Sequence, residues 1–551
     1  MAPNTIASTD LPEVTLSKYP ETSNKELKQS LSGNVSKSDC DRHVNPSYSA
    51  NKITKSLIFC VLAAASAGLI FGYDIGITGG VTSNDGFLKL FFPDIYIEHQ
   101  SPISNPWCKY DDPLLQLFTS SMFIAGMVSA IPAIKINNAL GRRPTMIMGG
   151  LIFIIGAILM SSAYALPQLV IGRVCLGFGI GLGNQSVNVY LSEMPPPLYR
   201  GTLQILFQLA TTIGIVVAQI INYLTEEVED GWRISLALAA VPGLTFTLGA
   251  VFCSESPNSL MERGRNDEAI AVLKKIRDSD DAGIANELVD IQQAAENSKQ
   301  SNWKALFAYK YRPQLIFAIF MPMFQQLTGI NSVMFYAPEI FGSFGSGRSW
   351  TLIQVIIIGA VNVIATVFAV YIIDKVGRRK MLLIGGAIMF TCISAFGVLL
   401  AICFSTSDTL TTPQAAGGLV LVCLFVTGFA MSWGPLGWSV PSEVTPLECR
   451  SSGYGVTVSV NFLFSALIGQ VFLSMLCKMQ FGVFFFFAGF IFIMSTFIYF
   501  LLPETRGVPL EEVELLFIEH KLWKKFAKSD SSGKTVIVGG GGMETYVVSN
   551  V

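Results

Sequence analysis

The chain has 551 residues, a formal net charge of −2, and Asp, Glu, Lys or Arg at only 14% of its positions. Soluble domains carry about 25% charged residues, and a mean hydropathy of +0.51 places the chain among membrane proteins. No basic stripe interleaved with aromatics offers a surface to nucleic acid. With three histidines, no nucleophile–base set and no metal-ligand cluster, the sequence supplies no enzyme chemistry.

The first fifty residues (MAPNTIASTDLPEVTLSKYPETSNK and on) are polar and rich in Ser. They lack the apolar core of a cleavable signal, and 1–52 reads as a disordered tail. Apolar segments of spanning length then recur near 56–79, 114–134, 145–164, 168–191, 202–224, 232–252, 313–340, 351–373, 381–403, 417–440, 452–476 and 481–502, about twelve helices in all. The polar stretch 253–312 separates the sixth from the seventh and holds a helical patch at Asn266–Ile276. The expected organisation is an all-α membrane protein. One six-helix half occupies 53–252, with a long loop at about 80–113. Linker helices fill 253–312, a second half covers 313–503, and a tail covers 504–551.

Short loops on one side carry Lys135, Arg142, Arg143, Arg200, Arg378, Arg379, Lys380 and Arg450. The other side offers Lys89, Lys109, Arg348 and Lys478, with an acidic cluster of Glu226, Glu227, Glu229 and Asp230. By the positive-inside rule the first side is cytoplasmic. An even helix count then puts both termini and the linker there too, and the 80–113 loop outside. The sequon Asn34-Val35-Ser36 would lie in the cytoplasm and go unused.

Three signatures occur in the same order in both halves. Gly141-Arg142-Arg143 follows the second segment and Gly377-Arg378-Arg379 the eighth. Ser192-Glu193, Pro196 and Arg200 follow the fourth, as Ser442-Glu443, Pro446 and Arg450 follow the tenth at identical spacing. Glu255-Ser256-Pro257 follows the sixth, and Pro503-Glu504-Thr505 the twelfth. Two parallel six-helix repeats, with a site at their interface near the midplane, form one transporter architecture.

With these repeats, Gly72-Tyr73-Asp74-Ile75-Gly76, Gly172-Arg173, the run from Gln325 to Asn331 (QQLTGIN), the run from Asp374 to Arg379 (DKVGRR) and Pro503-Glu504-Thr505 make the chain resemble a sugar porter of the major facilitator superfamily. The resemblance covers about 52–520 and is nearest to the plant and algal proton–hexose symporters. It implies the major facilitator fold, with 12 transmembrane helices in two halves, and transport of a monosaccharide such as glucose by alternating access in the plasma membrane. A proton would serve as the coupling ion, without a cofactor. One departure is Asn138 in Asn138-Ala139-Leu140-Gly141, where many relatives have Asp, which puts a salt bridge from that position in doubt.

Neutral amides match the donor–acceptor hydroxyls of a hexose without a charge to desolvate. Gln325, Gln326 and Asn331 flank Thr328-Gly329, a turn that glycine loosens. Gln208, Asn362 and Asn461 are lone amides in apolar surroundings, and Trp438 offers a flat face to sugar C–H groups. Such amides also serve as interhelical hydrogen-bonding glue; the resemblance implies that these seven residues line the sugar site.

Asp74 stands near the far end of the first apolar run. A charge there costs about 2.5–3.5 kcal/mol on insertion scales. At 1.5 Å per residue it lies ~27 Å from the inner end of its helix, a depth compatible with Arg173 near the outer start of the fourth. A neighbouring arginine favours a carboxylate and burial apart from it favours the neutral acid, so parting and rejoining the pair would load and release a proton. The resemblance implies that role. A permanent ion pair and facilitative uniport remain open at this stage, as does a sugar sensor that does not transport.

The resemblance also implies that Arg142, Arg143, Arg200, Arg378, Arg379 and Arg450 pair with Glu193, Glu255, Glu443 and Glu504 as a latch on the inner face; attraction to anionic headgroups is compatible with the same charges. Cys108 in the outer loop and Cys477 at the outer end of the eleventh helix fall where the plant symporters bridge a lid to the second half, with two free thiols as the alternative.

Overall fold

The structure, a computed structural model, describes 52–100, 107–108, 111–196, 200–278, 306–334, 336, 348–405, 411–445 and 449–506, with scattered positions in the linker and beyond 515. The tail with its sequon, Lys109, Pro446, most of 279–305 and much of 507–551 lie outside the described residues, as does the side chain of Arg200.

Among the described residues, eleven helices are long and apolar enough to cross a membrane. In chain order they are α1 (Lys55–Thr82), α2 (Pro113–Leu140), α3 (Arg142–Ser161), α4 (Leu166–Glu193), α5 (Arg200–Leu224) and α6 (Gly231–Phe252), then α8 (Arg348–Val376), α9 (Arg378–Phe404), α10 (Thr412–Val444), α11 (Arg450–Met479) and α12 (Gly482–Leu501). Between the two sets, α7 (Arg312–Leu327) has only 16 residues. Thr328 and Gly329 interrupt it, Gly329 at φ +82°, and helical backbone resumes at 330. The expected segment 313–340 is thus broken at the turn read at Thr328-Gly329, whose backbone glycine accepts at no steric cost.

The pairing of helices repeats with a shift of six. Helix α1 packs on α5 as α7 packs on α11, α2 on α4 as α8 on α10, and α3 on α4 and α6 as α9 on α10 and α12. The two halves meet where α2 lies along α11 and α5 along α8. At one end of the first seam Gln116 donates to Ser474 at 3.1 Å and Ser120 to Gln470 at 2.6 Å. At the opposite face the halves are also joined, as Gln185 of α4 donates to the Ser451 carbonyl of α11 at 3.0 Å and Gln204 of α5 donates to Ser442 of α10 at 2.8 Å. The halves are thus tied near both faces.

Small residues set the rotation of α1. Gly68, Gly72 and Gly76 recur every fourth position, and a Cβ on them would fall 2.2, 1.9 and 2.5 Å from the carbonyl oxygens of Phe207, Thr211 and Ile215 on α5. Close approach of two backbones is how helices gain contact in a lipid solvent. Two residues past Gly72, about 200° around the helix, Asp74 faces away from α5.

Helices Asp85–Phe91 and Pro93–Gln100 form a lid after α1, and Cys108 is bonded to Cys477 with Cα atoms 4.5 Å apart. At the opposite face, helices Pro257–Glu262 and Asn266–Ile276 follow α6. There a short antiparallel ladder joins Lys52–Ile53 to Arg277–Asp278, and Arg277 donates to the Met194 carbonyl at 2.8 Å, so this part of the linker is fastened to the first half. A second ladder pairs Thr535–Val538 with Thr545–Val548.

Candidate functional site

Three groups of predicted residues converge at different depths. Nearest the bridged face, Asp74 and Arg173 are both fully buried, with Arg173 Nη1 at 2.8 and 3.0 Å from the two carboxylate oxygens. The second guanidinium nitrogen donates to Thr78 at 3.2 Å, and Thr78 donates to the Asp74 carbonyl at 2.7 Å. The guanidinium carbon stands 3.9 Å over the Phe118 ring. The far side of Phe118 belongs to the lid, since Phe87 packs on it at 5.3 Å between ring centroids and also on Trp232 at 5.6 Å. An aromatic layer therefore separates the ion pair from the bridged face.

Deeper in the bundle, the seventh-segment amides and Asn461 form one chain. Gln325 donates to the carbonyls of Trp433 and Gly434, both at 2.9 Å. Both carbonyls stand in the first turn of the helical segment Trp433–Val444, just past Ser432, whose φ −133° and ψ −84° depart from a helix. Asn461 donates to Gln325 at 2.8 Å, Gln326 donates to Asn461 at 3.0 Å, and Asn331 donates to Gln326 and, at 3.4 Å, to Ser465. Irregular backbone is tolerated at this depth where it lines a cavity or is buried in protein. The amides satisfy one another, so an arriving hydroxyl replaces existing bonds rather than filling vacant ones.

The other expected site residues differ in their surroundings. The Gln208 amide nitrogen lies 3.4 Å from where a Cβ on Gly434 would sit, next to the carbonyls that Gln325 uses. Trp438 is buried between Phe207 and Tyr454, at centroid distances of 6.2 and 6.5 Å. Asn362 is buried with its Oδ1 unpartnered among the described residues, and no hydrogen bond described there joins it to the amide chain.

The charged face holds two versions of one network. Arg142 pairs with Glu193 at 2.8 Å while its backbone N–H donates to Glu255 at 2.9 Å. Arg378 pairs with Glu443 at 3.3 Å while its N–H donates to Glu504 at 2.9 Å. Ser256 donates to Glu193, and Thr505 donates to Glu443 at 3.2 Å. In each half the acid reaches the N–H across a glycine at positive φ, Gly141 at +104° and Gly377 at +96°; a side chain on either would meet the carboxylate, at 2.4 Å from Glu255 or 2.7 Å from Glu504.

The second arginines of the GRR turns depart from the expectation. The Arg143 guanidinium donates to the carbonyls of Ala250 and Val251, and that of Arg379 to the carbonyl of Tyr499. The last carbonyls of α6 and α12 lack helical partners and attract cations, and they stand nearer than any acid. These side chains therefore fasten helix ends instead of joining the carboxylates, although the Arg143 N–H does meet Glu255. All these ion pairs also close within one half. Among the described residues, neutral contacts join the halves at this face: Gln185 to Ser451, Gln204 to Ser442 and, at 3.5 Å, Ser451 to Asn138. Arg450 is buried at the start of α11.

Sequence reasoning passed over several partners. Glu262 adds a second carboxylate to Arg142 at 2.8 Å, and its signal was a short helix start at Ser256-Pro257 that presents an acid toward the preceding bundle. Thr78 and Phe118 gave no sequence signal, and Ser256 and Thr505 stood in the repeated signatures without an assigned role.

A bundle of apolar helices in two equivalent halves, with broken helices and amides at the seam and a buried ion pair to one side, is the major facilitator fold of membrane transporters. The family model for sugar (and other) transporters matches residues 60–517, and the chain belongs to that family. Sugar transport protein MST3 of Oryza sativa subsp. japonica is 48% identical over 482 residues, covering 86% of this chain and 93% of that protein. H(+)/hexose cotransporter 2 of Parachlorella kessleri is 48% identical over 498 residues, covering 89% of this chain and 92% of the other. The solved structure of the proton:xylose symporter XylE bound to 6-bromo-6-deoxy-D-glucose matches with a TM-score of 0.73 at 24% identity, over 84% of this chain and all of that one; at this identity the likeness speaks for the fold.

Proposed function

We propose that the protein is a proton-coupled monosaccharide symporter that moves a hexose such as glucose, with a proton, into the cell across the plasma membrane. The charged face with both termini and the linker is cytoplasmic, and the face with the Cys108–Cys477 bridge is external. In this reading Asp74 takes up the proton and Arg173 is the partner it leaves and rejoins. Gln208, Gln325, Gln326, Asn331, Asn362, Trp438 and Asn461 hold the sugar. The networks of Arg142 and Arg378 keep each half rigid while the neutral contacts across the seam part.

The observation that carries the proposal is the Asp74–Arg173 pair, with no exposed surface on either side chain, beneath an aromatic lid in a chain of this family. A route from proton to sugar is at hand, because Phe71, three residues before Asp74, packs on Phe462, the neighbour of Asn461, at 6.0 Å. Protonation that releases Arg173 frees α1 to move, and α1 moves Phe71 against the amide helix. The names of the close relatives support the same reading. Expression in hexose-uptake-deficient yeast tests it. Glucose uptake should rise at acidic outside pH, and an uncoupler should abolish accumulation above the outside concentration. Uptake that only equilibrates would make the protein a uniporter, and glucose binding at the surface without uptake would make it a sensor.

A further inference from the structure

Near the bridged face, where α5 of one half meets α8 of the other, a narrow pocket of about 10 Å3 lies among Gly79 and Gly80 of α1, Gln219 and Asn222 of α5, and Leu352 and Val355 of α8. Asn222 spends its amide N–H on the carbonyls of Gly76 and Ile77, both at 3.3 Å. Gln219 is different. It is 3% exposed, and neither its Oε1 nor its Nε2 has a hydrogen-bond partner among the described residues. Its Oε1 lies against the second half, 2.2 Å from where a Cβ on Gly359 would stand. A buried amide unpaired at both ends is costly and asks for a ligand or a role.

Three features specify that ligand. The pocket lining includes no charged side chain, so an ion gains nothing there. One unmet donor beside one unmet acceptor matches a hydroxyl-bearing neutral molecule. Gln219 also follows Gln208 by eleven residues on α5, which places it ~16 Å nearer the bridged face. We propose that this pocket is an outer transit subsite for the hexose, widened when α5 parts from α8, and that Gln219 is a specificity-determining residue contacting one sugar hydroxyl before the central amides take over. The subsite rests on the symport reading and its orientation.

The test compares wild type with Gln219→Leu in hexose-uptake-deficient yeast, using glucose and a set of mono-deoxyglucoses at low and saturating concentration. Gln219→Leu should lower glucose uptake at low concentration at least threefold more than at saturation. At least one deoxyglucose, lacking the hydroxyl that Gln219 meets, should lose less than glucose does. Equal losses for glucose and every analogue, or no loss at low concentration, would overturn the subsite. If Gln219→Leu does not reach the membrane, Leu352→Phe, which fills the pocket from the opposite wall with Gln219 intact, must give the same low-concentration loss; wild-type behaviour of that variant would also overturn it. Failure of wild type itself to take up hexose would sink the symport reading instead, so the two failures are distinguishable.

Discussion

Replacing Asp74 with Asn removes one charge from a pair that has no access to solvent. Arg173 would keep Thr78 at 3.2 Å and the Phe118 face, but its bidentate acceptor would become a single amide oxygen. Stranding one partner of a buried pair costs about 3–5 kcal/mol; the retained amide oxygen offsets part of this, so a loss at or below the lower end is expected in the thermal stability of the purified protein. The functional consequence is larger. At one proton per sugar, each pH unit across the membrane sustains about a tenfold sugar ratio, ~1.4 kcal/mol. Asp74→Asn has no proton to carry and should equilibrate sugar to a ratio of about one whatever the gradient, with accumulation of labelled glucose as the assay. A variant that still concentrates glucose when the outside is acidic would refute the assignment of Asp74.

Asn461→Ala breaks the amide chain in two places, since Asn461 donates to Gln325 and accepts from Gln326, and should weaken equilibrium glucose binding by on the order of tenfold or more. Arg142→Met leaves Glu193 buried without its partner and should destabilise by about 3–5 kcal/mol, much of it recovered in Arg142→Met with Glu193→Gln; melting of the three variants checks this. Gly72→Val would drive side-chain atoms into the Thr211 carbonyl and should cost upward of about 1–3 kcal/mol, whereas Gly417→Ala, with no atom within 4 Å of the new Cβ, should be neutral or slightly stabilising. Cys477→Ser frees the lid whose Phe87 covers Phe118 and so Arg173, and should alter both the dependence of uptake on outside pH and the apparent sugar affinity; an unchanged pH profile would separate the lid from the ion pair.

The layout was legible because charge marks the ends of apolar helices. The paired turns at Gly141 and Gly377 and the acids at Glu193 and Glu443 stand out against segments that carry almost no other charge. Asp74 and Arg173 could be matched in depth by counting residues along their helices. Rotation about each helix axis was not legible, since a helix buried or lipid-facing on every side has no polar stripe to orient it. Thus Gly72 and Gly76 were read as part of a motif, but not that they, with Gly68, face α5 and turn Asp74 toward Arg173. The same gap hid the carbonyl partners of Arg143 and Arg379, because backbone acceptors have no letter in the sequence. It hid Gln219 as well, since the amide's isolation depends on Gly359 lying across the seam.

The most direct measurement of the central claim uses purified protein reconstituted in lightly buffered vesicles, with external pH followed as glucose is added. Coupled entry of sugar and proton predicts that glucose makes the outside medium more alkaline, and that Asp74→Asn abolishes the signal. Glucose entry without any pH change in the wild type would contradict the account.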